Sequence, residues 1–483
     1  MKDDNLLVKN RDPSLYNEDL APIPIEKRSW GAFEIFNVWA NDVQSLFGYT
    51  LAASLFLSYG LNGWTVFAAI LIAGLFVNWL CNLIGEPSVK YGIPFPVMAR
   101  ASMGVRGANL PALIRAIVAI FWYGAQTYFA STAVALLIGS LVGGNGDSVF
   151  LGLSTIDWCS FLIVWFFQIW LFWNGIDWIT KFLNFAGPFV YAIMIVLAVV
   201  IWVKSGPNLM SEMDTIFSGI GNYEGSSFSA FMAVIGTMVA YFAAVVINYG
   251  DFSRFVKSQK EMKKGNFIGL PLNIAFFSLI ALIVTAGTVA IWGEALTSPT
   301  EIIEKVDSLP LTIISALLFF AATVGINLVA NFIPPAYDLA NLMPSKINFR
   351  VGGIITSLFA LVIGGLWVST ISQIGIFNFV NTLGAILAPF YGIMIADYYM
   401  IRNRKLDVEH LFTAEEGTEY FYDNGWNRKA LIAFVLPAIF SVMTVWIPTF
   451  ASLEGFSWVI GAALGAVLYY LISKKAPEEQ VVQ

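Results

Sequence analysis

Twelve stretches of mostly apolar residues, separated by short polar breaks, leave this chain few ways to fold. They fall at 35–59, 64–83, 110–138, 158–173, 182–203, 228–249, 268–292, 311–333, 351–368, 374–400, 430–447 and 456–472. A helix needs roughly 20 residues to cross the hydrocarbon core of a bilayer. Backbone inside lipid must satisfy its own hydrogen bonds, so runs of this length predict helices and an all-α integral membrane protein with twelve transmembrane helices. The fourth and twelfth runs are the shortest. Hydrophobic residues fill 58% of the 483 positions, charged ones 12%, and mean hydropathy is +0.73. That balance cannot supply a water-exposed surface.

The placement of charge gives an orientation. Cytoplasmic loops collect Lys and Arg. With both termini inside, every one of the 26 lysines and arginines except Lys204 and Lys305 falls on the cytoplasmic side. A miscounted helix would scramble that asymmetry, so an even number of crossings is expected. The opposite loops carry acid instead, with Glu212, Asp214 and Glu224 in one and Glu294, Glu301, Glu304 and Asp307 in another. The start, 1–28, is polar with no apolar core before a cleavage site, so no signal peptide is expected. The implied division is an N-terminal cytoplasmic segment (1–34), a core of ten spans (35–400), a cytoplasmic loop (401–429), two last helices (430–473) and a tail (474–483). The location follows as a multi-pass cell membrane protein.

Other classes find little foothold. The net charge of −6 is too sparsely spread to point to a partner, and no nucleic-acid-binding pattern is present. Cys81 and Cys159 both lie inside apolar runs and read as buried small hydrophobes. The one histidine, His410, sits in a polar stretch, so no histidine metal cluster or histidine-bearing triad lies in the membrane. There is no phosphate-binding glycine loop, metal-ligand spacing or nucleophile elbow. Neither a cofactor nor a confident metal site is expected, which leaves transport driven by an ion gradient or passive. A membrane-embedded enzyme would need clustered carboxylates or histidines facing one cavity.

Polar groups deep in an apolar run are costly in lipid and tend to face a protein interior or a water cavity. The first run holds Asn37, Asn41, Asp42, Gln44 and Ser45. A bare carboxylate at Asp42 needs a partner, a proton or a cation, unless it is a shallow helix-end residue. In the third run Trp122 and Gln126 are four apart and share a helix face. An indole to stack on and an amide to bond an edge would suit a planar heterocycle, although ordinary core packing produces such pairs too. Tyr241 and Phe242 lie in the sixth run. In the eighth, Asn327 and Asn331 put two amides on one face just before Pro334-Pro335, which should end or break the helix. Broken helices beside polar residues are a pointer to a transporter site. Asp251, Asp338 and Asp397 fall at cytoplasmic helix ends, where pairing with Arg and Lys is expected.

At these residues the chain resembles the nucleobase-cation symporter family one, which includes hydantoin, allantoin, cytosine and uracil permeases. The resemblance rests on Leu15-Tyr16-Asn17-Glu18-Asp19-Leu20, on the loop from Tyr91 to Gly107, on Phe121-Trp122-Tyr123-Gly124-Ala125-Gln126, on Asn331-Phe332-Ile333-Pro334-Pro335-Ala336-Tyr337 and on Gly392-Ile393-Met394-Ile395-Ala396-Asp397-Tyr398. It implies a LeuT-type 5+5 inverted repeat of helices 1–5 and 6–10, with helices 11 and 12 as additions. It also implies a substrate ring held between Trp122 and Phe242, with edge contacts from Gln126 and Asn331. Ser45, next to Gln44, stands where hydantoin and allantoin carriers bear Gln or Asn. Gly325 and Ile326 replace helix 8 hydroxyls that hold sodium in coupled relatives, with Ala322 one turn before. Asn41 and Asp42 occupy the facing stretch of helix 1. The resemblance thus implies a monomeric importer of a small planar heterocycle, coupled to protons in preference to sodium. An amino-acid or other small-solute symporter of the same architecture stays open.

Overall fold

The computed structural model describes residues 8–142, 148–215 and 223–474. The start of the N-terminal segment, part of one acidic loop and nearly all of the tail lie outside these residues. In chain order the helices are α1 (Ala32–Val43), α2 (Leu46–Ser58), α3 (Gly63–Tyr91), α4 (Phe95–Met103) and α5 (Asn109–Val142). A hairpin, β1 (Val149–Phe150) and β2 (Leu153–Ser154), leads to α6 (Thr155–Trp173), α7 (Ile176–Ser205) and α8 (Asn208–Thr215). Next come α9 (Ser227–Ile247), α10 (Gly250–Ser253), α11 (Gln259–Phe267), α12 (Asn273–Trp292) and α13 (Pro299–Val306). The chain finishes with α14 (Leu309–Ile326), α15 (Ile333–Leu342), α16 (Phe349–Gly365), α17 (Ile376–Ile395), α18 (Arg428–Trp446) and α19 (Ser457–Ser473).

Among the described residues, 10 helical segments are long and apolar enough to cross a membrane, where the sequence pattern implied twelve. The first and ninth apolar runs fall short in helix length, with α2 and α16 as shorter apolar helices. The first is short because it is broken. Ser45 caps α2 through its hydroxyl, which accepts the Gly48 N–H at 2.8 Å. The Leu46 N–H donates to Thr323 Oγ1 at 3.2 Å. Backbone groups freed by the break are thereby satisfied inside the protein, which is the condition for irregular backbone at membrane depth. Ser45, whose hydroxyl takes a backbone N–H of the next turn in place of a main-chain carbonyl, starts the second helix here.

The double proline does not end its helix. A π-helical turn at Asn327–Phe332 joins α14 to α15, so Pro334 and Pro335 sit in the first turn of α15, where a missing N–H costs little. Further π turns occur at Ile268–Leu272, which contains Pro271, and at Ala396–Ile401.

The helices sort into two packed groups. On one side α5 packs on α6, α14, α15 and α16. On the other, α3 packs on α9 and α12, and α1 lies between α7 and α11. α17 lies against α9, and α18 and α19 cover α17. Outward faces are apolar, with Trp79, Phe166, Trp170, Val199 and Phe359 exposed, as a lipid-facing surface requires. Cys81 is buried, but Cys159 is exposed on the outer face of α6, contrary to the reading of both as core residues. It lies off the one stripe along which α6 is buried.

The face carrying both termini is closed by the described N-terminal residues. Asn17 donates to the carbonyls of Pro344 and Ile347, while Arg254 donates to those of Asp19 and Ala21. The 402–428 connection packs beside them, with the Asp12 N–H donating to the Phe412 carbonyl at 2.9 Å.

Candidate functional site

The polar residues singled out in the first, third, sixth and eighth runs converge where the two helix groups meet. Gln44, Ser45, Asn41, Asp42, Trp122, Gln126, Tyr241, Phe242, Ala322, Gly325, Asn327 and Asn331 are all buried. They do not form a single cluster.

The aromatic part is built around Tyr241. Its ring meets Trp122 edge-on at 5.6 Å and Phe242 edge-on at 4.9 Å. Trp122 and Phe242, expected to face each other across a substrate, are therefore linked through Tyr241 in this conformation. Phe47, in the first turn of α2, lies parallel to Tyr241 at 6.1 Å and meets Trp122 edge-on at 5.0 Å. Phe379 of α17 closes on Trp122 at 5.0 Å, and Trp367 on Phe379 at 5.2 Å. Phe47, Phe379 and Trp367 were not singled out from the sequence. Phe47 follows the break at Gln44-Ser45, which shows only in the structure, so no sequence signal marks it.

Gln126 is fully buried on the Trp122 face of α5, beside the Tyr241 hydroxyl. Neither its amide nitrogen nor its amide oxygen completes a hydrogen bond with a described residue. A buried amide without partners costs on the order of 1–3 kcal/mol, so a donor and an acceptor stand ready for a ligand edge. Tyr241 and Ser45 hydroxyls lie 3.3 Å apart, tying α9 to the break in the first run.

The amides of the eighth run are used differently from each other. Asn327 Nδ2 donates to the Tyr123 carbonyl, Thr127 Oγ1 and Gln168 Oε1 at 3.1, 3.0 and 2.8 Å, so it holds α14 to α5 and α6. Asn331 Nδ2 donates to Asn327 Oδ1 at 3.0 Å, which leaves the Asn331 amide oxygen outside that chain. Asn327 is thus a structural anchor and Asn331 the outer end of the pair. Gln44 is likewise structural, its Nε2 donating to Asn273 Oδ1 at 2.9 Å, an atom that also accepts from the Tyr191 hydroxyl.

The candidate ion-coupling residues form a second locus. Asn41 Nδ2 donates to the Asn37 carbonyl at 2.7 Å and to the Leu183 carbonyl of α7 at 3.1 Å. Its Oδ1 lies so close to Gly325 that a Cβ added there would stand 2.2 Å away. A side chain at Gly325 and the Asn41 amide therefore cannot share this space. Ala322 adds only a methyl group, and Thr323 Oγ1 is taken by the Leu46 N–H. Asp42 makes no hydrogen bond or ion pair with a described residue, and its charge interacts with that of Arg115.

Arg115, in the first half of α5, was read from sequence only as a loop-side charge. It is fully buried, and its Nε and Nη2 donate to the Ala244 carbonyl, Asn248 Oδ1 and the Ala330 carbonyl. It fastens α9 to α5 and the π turn, on the terminal side of the aromatic group. The acids expected to pair with Arg or Lys split. Asp397 pairs with Arg402 at 2.7 Å. Asp251 instead accepts the Phe95 N–H at 2.8 Å, and the Asp338 oxygens have no hydrogen-bond partner among the described residues, although Arg115 and Asp251 lie within electrostatic reach. Both are buried on short helices near Arg115, and Arg254 also lies near Asp251, but neither acid forms a salt bridge among the described residues.

Comparison with known proteins bears on this geometry. Residues 22–473 match the family described as permease for cytosine/purines, uracil, thiamine, allantoin. The allantoin permease of Bacillus subtilis is 34% identical over 469 residues, covering 96% of this chain and 94% of the relative. A putative allantoin permease of Escherichia coli is 31% identical, with 96% of each chain covered. In fold, the chain is similar to Mhp1, a nucleobase-cation-symport-1 family transporter solved closed with bromovinylhydantoin bound, at a TM-score of 0.77, 23% identity and 95% coverage of both chains.

Proposed function

The chain belongs to the family of permeases for cytosine/purines, uracil, thiamine and allantoin, and on that premise we propose that it imports a small planar nitrogen heterocycle by alternating access. The family makes it a transporter and not an enzyme. The observation that carries the substrate reading is Gln126, a fully buried amide one helical turn from Trp122 that approaches the Tyr241 hydroxyl but completes no hydrogen bond of ordinary geometry with a described residue. A ring with adjacent N–H and C=O groups matches that edge, and the Trp122, Tyr241 and Phe242 rings give it faces to lie on. Asn331 supplies a further amide oxygen. Alternating access is supported by the build, since Arg115 closes one end of the interface between helix groups that carry opposite sides of the site.

For coupling, we propose a proton carried by Asp42. Asp42 is a buried carboxylate with no hydrogen bond or salt bridge to a described residue, and such a group at membrane depth is expected to bind a proton or a cation. The space between Asn41, Leu183 and Gly325, where a sodium ion would need oxygen ligands, is taken up by the Asn41 amide. Monomeric operation, a cell membrane location and cytoplasmic termini complete the proposal, the last supported by the lysine and arginine distribution.

Uptake of allantoin, uracil and hydantoin into proteoliposomes, with and without an inward proton gradient, tests it. Accumulation of at least one of the three that follows the proton gradient at fixed membrane potential is expected. Accumulation that instead rises steeply with sodium would refute the coupling. Accumulation of none of them, with uptake of an amino acid, would refute the substrate class.

A further inference from the structure

Glu454 lies in the segment Pro448–Phe456 between the last two helices, outside the ten helices of the repeat, and lines a cavity of about 260 Å³ on the face opposite the termini. That volume is near the lower end of small-molecule sites. Tyr59, Tyr223, Phe377, Ser58 and Ser229 are among its other lining residues. One carboxylate oxygen of Glu454, Oε1, accepts the Asn381 amide at 3.1 Å. The other makes no hydrogen bond with a described residue. Tyr59 and Phe377 are tilted rings 5.9 Å apart, and Tyr59 and Tyr223 are 5.2 Å apart.

The cavity shares a helix face with the central site. Ser229 and Ala233 are its wall on α9, and Thr237 and Tyr241 follow at the same spacing of four, so one face of α9 runs from the cavity to the central aromatic group. Asn381 joins Glu454 to Thr237 along that route, its amide also reaching Thr237 Oγ1 at 3.4 Å. The segment is locked to α9 by Gly236 against Gly455, so Glu454 keeps a fixed position relative to the helix that bears Tyr241.

We infer that this cavity is a second, weaker binding site that receives the neutral, planar, N–H-rich solute before it reaches Gln126, with the Glu454 carboxylate accepting the ring's N–H groups and Tyr59 and Phe377 covering its faces. The inference rests on the transport reading above. It gives the helices beyond the repeat a role in capture, since α18 and α19 hold the segment that carries Glu454. A carboxylate suits the first encounter because it selects donor-rich neutral solutes and repels anions.

The test is equilibrium binding of radiolabelled allantoin and of uracil to the purified full-length protein and to Trp122→Ala, Trp122→Ala/Glu454→Ala and Trp122→Ala/Glu454→Gln variants. The glutamine keeps an acceptor for Asn381 and so preserves the local fold. Trp122→Ala should lose the tight site and retain a weak one, and both double variants should weaken that remaining site at least tenfold. Loss of all binding in Trp122→Ala overturns the inference, as does weak binding that survives in both double variants. Wild-type binding that Trp122→Ala does not change sinks the central reading instead; the two double variants then judge the cavity, a loss of at least tenfold supporting it and no loss overturning it. No binding of either compound to the wild type contradicts both.

Discussion

Three buried side chains carry the argument at the scale of single residues, and each has a different reason to be costly. Among the described residues, Gln126 completes no hydrogen bond of ordinary geometry, Asp42 is a buried carboxylate without a hydrogen bond or salt bridge, and Asn41 has an amide pressed against Gly325. A stable fold tolerates a few such groups when a ligand or proton satisfies them in use. Asp42 then yields a prediction. If it carries the coupling proton, Asp42→Asn should transport without acid stimulation, with equal initial rates at pH 6 and 7.5 where the wild type is faster at the lower pH. An Asp42→Asn protein that keeps the wild-type pH profile in proteoliposome uptake would remove Asp42 from that role. Trp122 with Gln126, and Asn327 with Asn331, stood out as candidates in the sequence because polar and aromatic residues at spacing four are conspicuous in an apolar run, whereas Tyr241 was marked only by its place in the sixth run. The split in duties between Asn327 and Asn331 was not legible, since it depends on Thr127 and Gln168 reaching Asn327 from other helices. Phe47 was invisible for a similar reason, being one phenylalanine among 40.

At the level of helices, the sequence pattern located nearly every span, because hydropathy over about twenty residues is a strong signal. It could not show that the first span is two helices meeting at Gln44-Ser45, nor that Pro334-Pro335 is absorbed by a π turn. Both outcomes depend on where freed backbone groups find partners, and those partners, such as Thr323 Oγ1, come from distant helices. Close helix contacts are equally hidden. At Gly236 an added Cβ would stand 1.2 Å from the Gly455 carbonyl oxygen, so α9 and the Pro448–Phe456 segment meet backbone to backbone. Gly236→Ala must push them apart, and overpacking of this kind costs on the order of 1–3 kcal/mol or more. The purified variant should melt several degrees below the wild type, and an unchanged melting temperature would mean that this contact is not formed in the protein.

In the whole molecule, two packed helix groups hold opposite sides of the candidate aromatic site. Arg115 fastens them on the terminal side, and the Glu454 cavity opens on the other. The similarity in fold to Mhp1 over 95% of both chains agrees with this division. Alternating access then requires the Arg115 bonds to Asn248 and the Ala244 carbonyl to break as the terminal side opens. The central claim is narrower than the fold and turns on the chemistry at Trp122 and Gln126. Its most direct test is the affinity of the purified protein for the heterocycle it accumulates, measured by equilibrium binding for the wild type, Trp122→Ala and Gln126→Ala. Stacking of a ring on an aromatic side chain contributes about 1–3 kcal/mol. Trp122→Ala should therefore weaken binding by roughly 5- to 150-fold, at tenfold per 1.4 kcal/mol. Gln126→Ala should weaken it by about fivefold or more, because the ring edge loses a buried partner. Affinities within twofold of the wild type in both folded variants would contradict the account.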